Sequence, residues 1–464
     1  MAIFLARRGC EVEVYEARPD LRYTTVGGHR SINLTIATRG LDALRRVGLD
    51  GQVLDKLCTV LHSRVVHDRN GRLRNIPYGV RSHEVLHAVS RTELLKFLLD
   101  VAATEPGVRL HFQHRCVELD KASATTLFLD QRTGERRTVS ADLVIGADGV
   151  YSVIRGRMQR REPVDFSQHF VPWRYKEFTI RPVDGEISLD THALHVWPRG
   201  DFMMFALPNR DLSFNGVCVL PAHGPNSFDE LTEPDEVRAF FEAHFADAVP
   251  YMPRLIAEFF DRPANGFPTI RTSSWHHGAT VVLIGDACHG VVPFYGQGMN
   301  AAFEDCVVLD ECLAEHWRDW GAALRQYEHR RRVHTDVLAD LSIANFTELR
   351  AGVMRPSIAA RKQVLRIVHR VFGDRAAPLY SLVSHSTTPY ADCVRVARGR
   401  ERIGRLLGAD VLVAAIVAQA TVRQAIRTRV AASTVRVRGK VRGKVRGKGR
   451  GKGRTRPALR RWWR

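Results

Sequence analysis

Three acidic residues close three apolar runs. Glu16 ends Val12-Glu13-Val14-Tyr15, Asp148 stands in "LVIGADG", and Asp286 follows "VVLIG". Ligands of parallel sheets collect at the carboxyl ends of the strands, where a carboxylate can accept a hydrogen bond from a sugar or polyol hydroxyl. Ten residues beyond Asp286, Gly296-Gln297-Gly298 opens what reads as a helix, with Met299 and Asn300 in its first turn. Unsatisfied N–H groups and a positive dipole end suit an anion or the edge of an electron-rich heterocycle. Each signal alone has a plainer reading. An acid at a strand end is usually a turn residue, Gly-x-Gly is often cap chemistry, and Asp-Gly is a common turn. The shared strand context and the order of the three are what carry weight. Cys288-His289, beside Asp286, reads as packing and not as part of a metal site.

The elements needed to hold these residues are legible as a coarse α/β pattern. An apolar helix from Ala2 runs to Arg7-Arg8-Gly9, and a strand then ends on Glu16. This order reads like the second half of a dinucleotide-binding βαβ unit. Ser90-Arg91-Thr92-Glu93 is a capping box that opens the helix through Leu94 to Leu99. "VRLHF", "ADLVIGADG" and "ATVVLIGDA" read as strands. Short alternating runs such as "ALHVWP" and "FMMFALP" suggest an antiparallel sheet between about 160 and 220. From about 320 to 405 the pattern is helical. The expected architecture is a Rossmann-like parallel sheet, an antiparallel-sheet domain and a C-terminal helical region.

Composition narrows the class. The 464 residues carry a formal charge of +19, but 17 Lys and Arg lie between Arg423 and Arg464 and no acid follows Asp410, leaving +2 for the rest. The basic character belongs to a tail and not to a nucleic-acid-binding body. That tail, "VRGKVRGKVRGKGRGKGRTR", has almost nothing to bury and reads as disordered. The eight cysteines form no C-x-x-C pair. They suggest neither a zinc site nor a disulfide framework and fit a reducing cytoplasm. The apolar run from Val411 to Val417 falls short of the ~20 residues a spanning helix needs.

With these residues in view, the chain resembles the flavin-dependent aromatic hydroxylases from its first residues to about 400. The second flavin fingerprint of that family matches Asp148-Gly149. The third matches Gly285-Asp286 with Pro293-Phe294-Tyr295-Gly296-Gln297-Gly298-Met299-Asn300. "RSINL" (30–34), "IPYG" (76–79), "HVWPRGDFMMFALPN" (195–209), "GQGMNAAFEDC" and "DLSIANFTELR" (340–350) resemble the branch of the family that acts on L-kynurenine. The resemblance implies bound FAD, NADPH as a transient cosubstrate, O2, and hydroxylation of L-kynurenine at the 3-position in tryptophan degradation. The flavin would do the chemistry, with no certain catalytic side chain. By resemblance, Glu16 holds the adenosine ribose with Arg18 beside it, and Arg91 reaches the cofactor from its helix start. Asp286 holds the ribitol or pyrophosphate region, and Gly298, Met299 and Asn300 face the isoalloxazine. The substrate's amino-acid head would meet Arg64, Tyr78, Asn345 and Tyr380. Glu348 would share the helix face of Asn345, and Phe294 and Tyr295 would wall the aromatic end. A planar guanidinium matches a carboxylate bidentately, although Arg64 on its own could be a surface strand residue, Arg91 a solvated one and Tyr380 a core tyrosine.

The resemblance implies three interleaved FAD-binding parts, at 1–60, 91–160 and 266–320. Substrate-domain parts lie at 61–90 and 161–265, a helical region at 321–410 and the basic tail at 411–464. Two departures from the family's pattern set further expectations. The family begins with a strand and G-x-G-x-x-G, whereas here the pattern starts after that loop. The expectations are a misassigned start or a truncated gene, unpaired strand edges, and weak FAD binding if Met1 is the start. His29 stands where the family more often has glycine. For the tail, no role, charge-driven contact with anionic lipid or nucleic acid, and frameshifted coding sequence stay open. A flavin hydroxylase of another aromatic substrate and a catalytically impaired remnant are the alternative functions.

Overall fold

Gly9, at φ +83°, turns the chain from helix Ala2–Arg7 into strand Val12–Glu16, a left-handed conformation that glycine adopts without steric penalty. The computed structural model describes residues 1–24, 32–79, 81, 83–351, 369 and 376–406. His29, the Arg30-Ser31 part of RSINL and the basic tail lie outside them. The chain divides into units at 1–402 and 403–464, and everything below concerns the first.

Val12–Glu16 pairs in parallel with Val108–Phe112, which follows helix Arg91–Thr104. That helix has half of its expected capping box. Ser90 Oγ accepts the Glu93 N–H at 3.4 Å, and the Glu93 carboxylate pairs with Lys96. A second parallel pair, Val144–Gly146 with Val281–Leu283, belongs to a separate sheet. Among the described residues the expected parallel sheet is therefore in two pieces. Val12–Glu16 is half-buried along its whole length, where a central parallel strand would be covered on both faces. Residues 114–140 add a three-stranded antiparallel meander that the sequence patterns did not separate from the parallel part.

The larger sheet has seven strands, in the order Asn265–Thr272, Phe166–Ile180, Phe214–Pro221, Met203–Pro208, Ala193–Pro198, Ser63–His67 and Leu73–Pro77. All neighbours are antiparallel except Ala193–Pro198 with Ser63–His67. Strand Phe214–Pro221 is apolar almost throughout because both of its faces are covered. Phe214, Cys218 and Leu220 join a core with Phe178, Trp197, Phe241 and Phe245, while Val217 and Val219 join Phe267, Phe294 and Phe346 on the other side. This alternation is the period of two of a β-strand. Helices Pro234–Phe245 and Leu255–Asp261 cover the first face. Phe346, from the 32-residue helix Trp320–Ala351, helps cover the second. Among the described residues no helix is long and apolar enough to cross a membrane.

Candidate active site

The strand Val281–Leu283 is buried and delivers the chain to Gly285 at φ +61°. Gly285 donates its N–H to Asp305 Oδ2 at 2.9 Å. This turn presents Asp286, whose side chain is open to solvent while Ala287, Cys288 and His289 beside it are buried. Protein atoms nonetheless crowd its carboxylate. That desolvation raises its carboxyl pKa, the charges of His289 and Arg91 oppose the rise, and Asp305 adds to it. Arg91, the first residue of its helix, is thus brought to within electrostatic reach of Asp286 from 195 residues away in sequence.

The other cofactor-side residues divide by what their side chains already do. Arg18 forks onto Glu16, with Nε and Nη2 each 3.0 Å from a carboxylate oxygen and the backbone N–H at 2.8 Å. Burial pulls the Glu16 pKa up, but the Arg18 hydrogen bonds outweigh it and hold the carboxyl below its ordinary value. The Asp148 carboxylate accepts hydrogen bonds from the Ser152 hydroxyl and from the N–H groups of Val153 (2.7 Å) and Ile154 (3.1 Å), so it caps helix Val153–Met158. Asn300 is fully buried, and its side chain is a clasp. Nδ2 donates to Thr35 O (2.8 Å) and Gly296 O (2.9 Å), and Oδ1 accepts the Ala37 N–H at 2.8 Å. Met299 packs beside the core of Ile36 and Leu94. In helix Gly298–Glu315 the first helical bond runs from Ala301 N–H to Gln297 O, so the amides of Gly298, Met299 and Asn300 precede the helical ladder. What this turn offers a ligand is main chain.

In the seven-stranded sheet, Arg64 lies in strand Ser63–His67, paired with Ile76 on one neighbouring strand and Leu194 on the other. Protein encloses its guanidinium, while the residue as a whole keeps some accessible surface. Its Nε is buried with no hydrogen-bond partner among the described residues. Burial pulls its pKa down, while the Tyr78 and Tyr380 hydroxyls and the Glu348 carboxylate hold it above the ordinary value. The guanidinium carbon lies 5.9 Å from the Tyr78 ring centroid. Tyr380 stacks on Tyr78 at 6.0 Å and on Tyr295 at 5.6 Å, and burial raises all three phenol pKa values. Asn345 donates its side-chain N–H to Phe294 O at 2.7 Å, and Phe294 stacks on Phe346 at 4.1 Å. The fold thus gathers Arg64, Tyr78, Tyr295, Glu348 and Tyr380 from five segments that span more than 300 residues.

Sequence reasoning passed over a buried ion cluster behind Asp286. His289 Nε2 lies 2.5 Å from Asp305 Oδ2, and Arg331 donates to Asp305 Oδ1 (2.7 Å), Glu304 Oε2 (2.5 Å) and Ala301 O (3.1 Å). Arg39, fully buried, pairs with Glu304 at 2.6 Å and lies over the Tyr390 ring at 4.0 Å. Cys288, His289 and Asp305 come close enough to suggest metal ligands, but both Asp305 oxygens are already engaged, by Arg331 on one side and by Gly285 and His289 on the other. Arg331 sits in "HRRRVH", which reads as a charged helix surface, so no local signal marked it. Glu177 was also missed. Burial pushes its carboxyl up to about 7 against the opposing influence of Arg262, Asn215 and Arg91.

Comparison with known proteins shows the family to which this fold belongs. Residues 1–342 match a family model described as an FAD binding domain. Kynurenine 3-monooxygenase of Salinispora arenicola is 47% identical over 416 residues, covering 89% of this chain and 91% of that protein. The Myxococcus xanthus enzyme of the same name is 41% identical over 391 residues, covering 84% of each. Among solved structures, 2-methyl-3-hydroxypyridine-5-carboxylic acid oxygenase superposes with a TM-score of 0.60 at 22% identity, over 76% of this chain and 90% of that one. HpxO of Klebsiella pneumoniae, solved with FAD, gives a TM-score of 0.61 at 22% identity, over 80% and 92%. The chain is an FAD-dependent monooxygenase and belongs to the kynurenine 3-monooxygenase family of the aromatic hydroxylases.

Proposed function

We propose that the chain hydroxylates L-kynurenine to 3-hydroxy-L-kynurenine, using NADPH as reductant and O2 as oxidant. The observation that carries this reading is Arg64. An enclosed guanidinium with an unpartnered Nε calls for an anion, and Glu348 nearby would answer an ammonium. That pair of charges suits an amino-acid head. Phe294, Tyr295 and Tyr380 supply flat apolar walls for an aryl ketone.

These groups suit the cofactor of the family. The Asp286 carboxylate, with Arg91 in electrostatic reach, and a helix start whose first amides precede the helical ladder are acceptors and donors for a polyol and a heterocycle edge. In this reading Asp286, Arg91 and the amides of Gly298, Met299 and Asn300 hold FAD, with Glu16 and Arg18 at its ribose end. Asp148 and the Asn300 amide side chain act one step back, by fixing the turns they cap. FAD held by these residues would supply the redox chemistry between NADPH and O2. The protein's part is placement. Arg64 and Glu348 orient the head group, Tyr78 and Tyr380 hold Arg64, and the aromatic walls keep water from the reacting ring.

The test is NADPH consumption by the FAD-loaded chain with and without L-kynurenine, with chromatographic detection of the hydroxylated product. Stimulated oxidation with stoichiometric product supports the reading. Stimulation by a simple phenol but not by kynurenine would point to another aromatic substrate.

A further inference from the structure

A group of buried imidazoles lies behind the substrate-side tyrosines, with ring nitrogens that no hydrogen bond accounts for. His369 is 1% exposed, and neither of its ring nitrogens has a hydrogen-bond partner among the described residues. His385 Nε2 and His87 Nδ1 are likewise buried without one. A buried polar atom left in this state costs free energy, and an ion is one of the few things that can satisfy it.

Glu84 stands among these rings. It is 5% exposed, its Oε2 accepts the Arg81 backbone N–H at 3.0 Å, and its Oε1 lies 3.7 Å from His369 Nε2. That separation is too long for a hydrogen bond. It is close to the ~3.4 Å that separates two ligands of one tetrahedral ion with bonds of about 2.0–2.2 Å. His385 is within electrostatic reach of Glu84, His83, His369 and His87. Burial, aided by the other imidazoles, holds the His385 pKa down at about 4 against the pull of Glu84, and burial also lowers that of His87. Both rings are therefore neutral at pH 7, the form that binds a metal.

The cluster is distinct from Cys288, His289 and Asp305, whose carboxylate oxygens are already engaged. It abuts the substrate wall. A Cβ on Gly79, the residue after Tyr78, would come within 2.0 Å of Glu84 Cβ. His385 ends helix Leu379–His385, which carries Tyr380, and the two rings meet edge-on at 6.4 Å.

We propose that His87, His369, His385 and Glu84 form a binding site for a first-row transition-metal ion of the zinc class. Three imidazoles and one carboxylate suit a four-coordinate, borderline-soft ion, whereas Ca2+ and Mg2+ take oxygen ligands. The hydrogen bond from Arg81 to the second Glu84 oxygen is the kind of support that orients a ligating carboxylate. Bound there, the ion braces the segment after Tyr78 against the helix of Tyr380.

The test titrates ZnCl2 calorimetrically into the FAD-loaded protein after treatment with a chelator. The wild type should take up one Zn2+ per chain, with an affinity that falls toward acidic pH as the imidazoles protonate. His369→Ala should bind roughly 100-fold or more weakly, because losing even a group that orients a ligand costs about 10- to 100-fold. Zn2+ should raise the melting temperature of the wild type but not of this variant. Cys288→Ser should bind as the wild type does. No Zn2+ binding by the wild type, or equal binding by His369→Ala, would overturn the proposal. Loss of binding in Cys288→Ser would also overturn it, by moving the ion to the other cluster. If His369→Ala does not fold, X-ray absorption at the zinc edge of the wild type decides. Nitrogen and oxygen neighbours at about 2.0–2.2 Å support the site, and a sulfur neighbour overturns it.

Discussion

Gly285 and Asp305 are joined by a 2.9 Å hydrogen bond from the glycine N–H to the buried carboxylate, and this bond sets where Asp286 points. Asp305 is wholly buried. Desolvation pushes its pKa up, but His289 and Arg331 outweigh that and hold it below the ordinary value, so it stays ionised. Asp305→Ala would leave Arg331 as a buried cation without one of its two carboxylates, a loss on the scale of 3–5 kcal/mol. The expected outcome is a large fall in the urea midpoint together with loss of flavin on gel filtration. Asp305→Asn keeps the acceptor for Gly285. It should retain more FAD than the alanine variant, and equal flavin loss in the two would count against the positioning role.

Arg64→Lys tests the substrate side. Lysine keeps the charge but loses the planar fork and the contacts with both tyrosines. The expected loss is about 2–3 kcal/mol of binding, or roughly 30- to 150-fold in the KM for L-kynurenine, with flavin content unchanged. A KM within a few-fold of wild type would place the substrate carboxylate elsewhere.

Gly40 faces the Asn300 clasp. A Cβ there would lie 2.4 Å from Asn300 Oδ1 and 3.2 Å from an Ile36 methyl, and the buried amide is held by three main-chain partners. Gly40→Ala should therefore destabilise the protein by about 1–3 kcal/mol through overpacking, despite alanine's better helix propensity. A thermal melt at or above the wild-type midpoint would show that the clasp can yield.

The raised pKa of Glu177 gives a pH dependence of known sign. Its folded value of about 7 lies above the ordinary 4.5. Between those values the folded protein holds a proton that the unfolded chain has released. Stability therefore falls as pH rises through this window and levels off above it. Glu177→Gln removes the titration. By pH 8 the variant should be more stable than the wild type by about 1–3 kcal/mol, with the gap closing toward pH 4.5. Urea titrations across that range measure the gap, and a constant difference would dismiss Glu177 as its source.

Local chemistry in the chain was enough to determine the class of fold and the positions of its turns. Period-two runs mark "ALHVWP" and "FMMFALP", which pair as antiparallel strands. Ser90 marks a helix start because an N-cap is a contact over three residues. Asp286 sits at a strand end because the apolar run before it stops there. Only the tertiary structure decided how the polar side chains are used. Asp148 became a helix cap and Asn300 a clasp between segments, although each sits in a motif that also permits direct ligand contact. Arg331 left its apparent surface face for a buried position, because the carboxylates of Glu304 and Asp305 come from another helix. Arg64 meets Tyr78 and Tyr380 for the same reason. Hydrogen bonds and ion pairs act over a few ångströms, and the partners that set their meaning lie tens to hundreds of residues away along the chain.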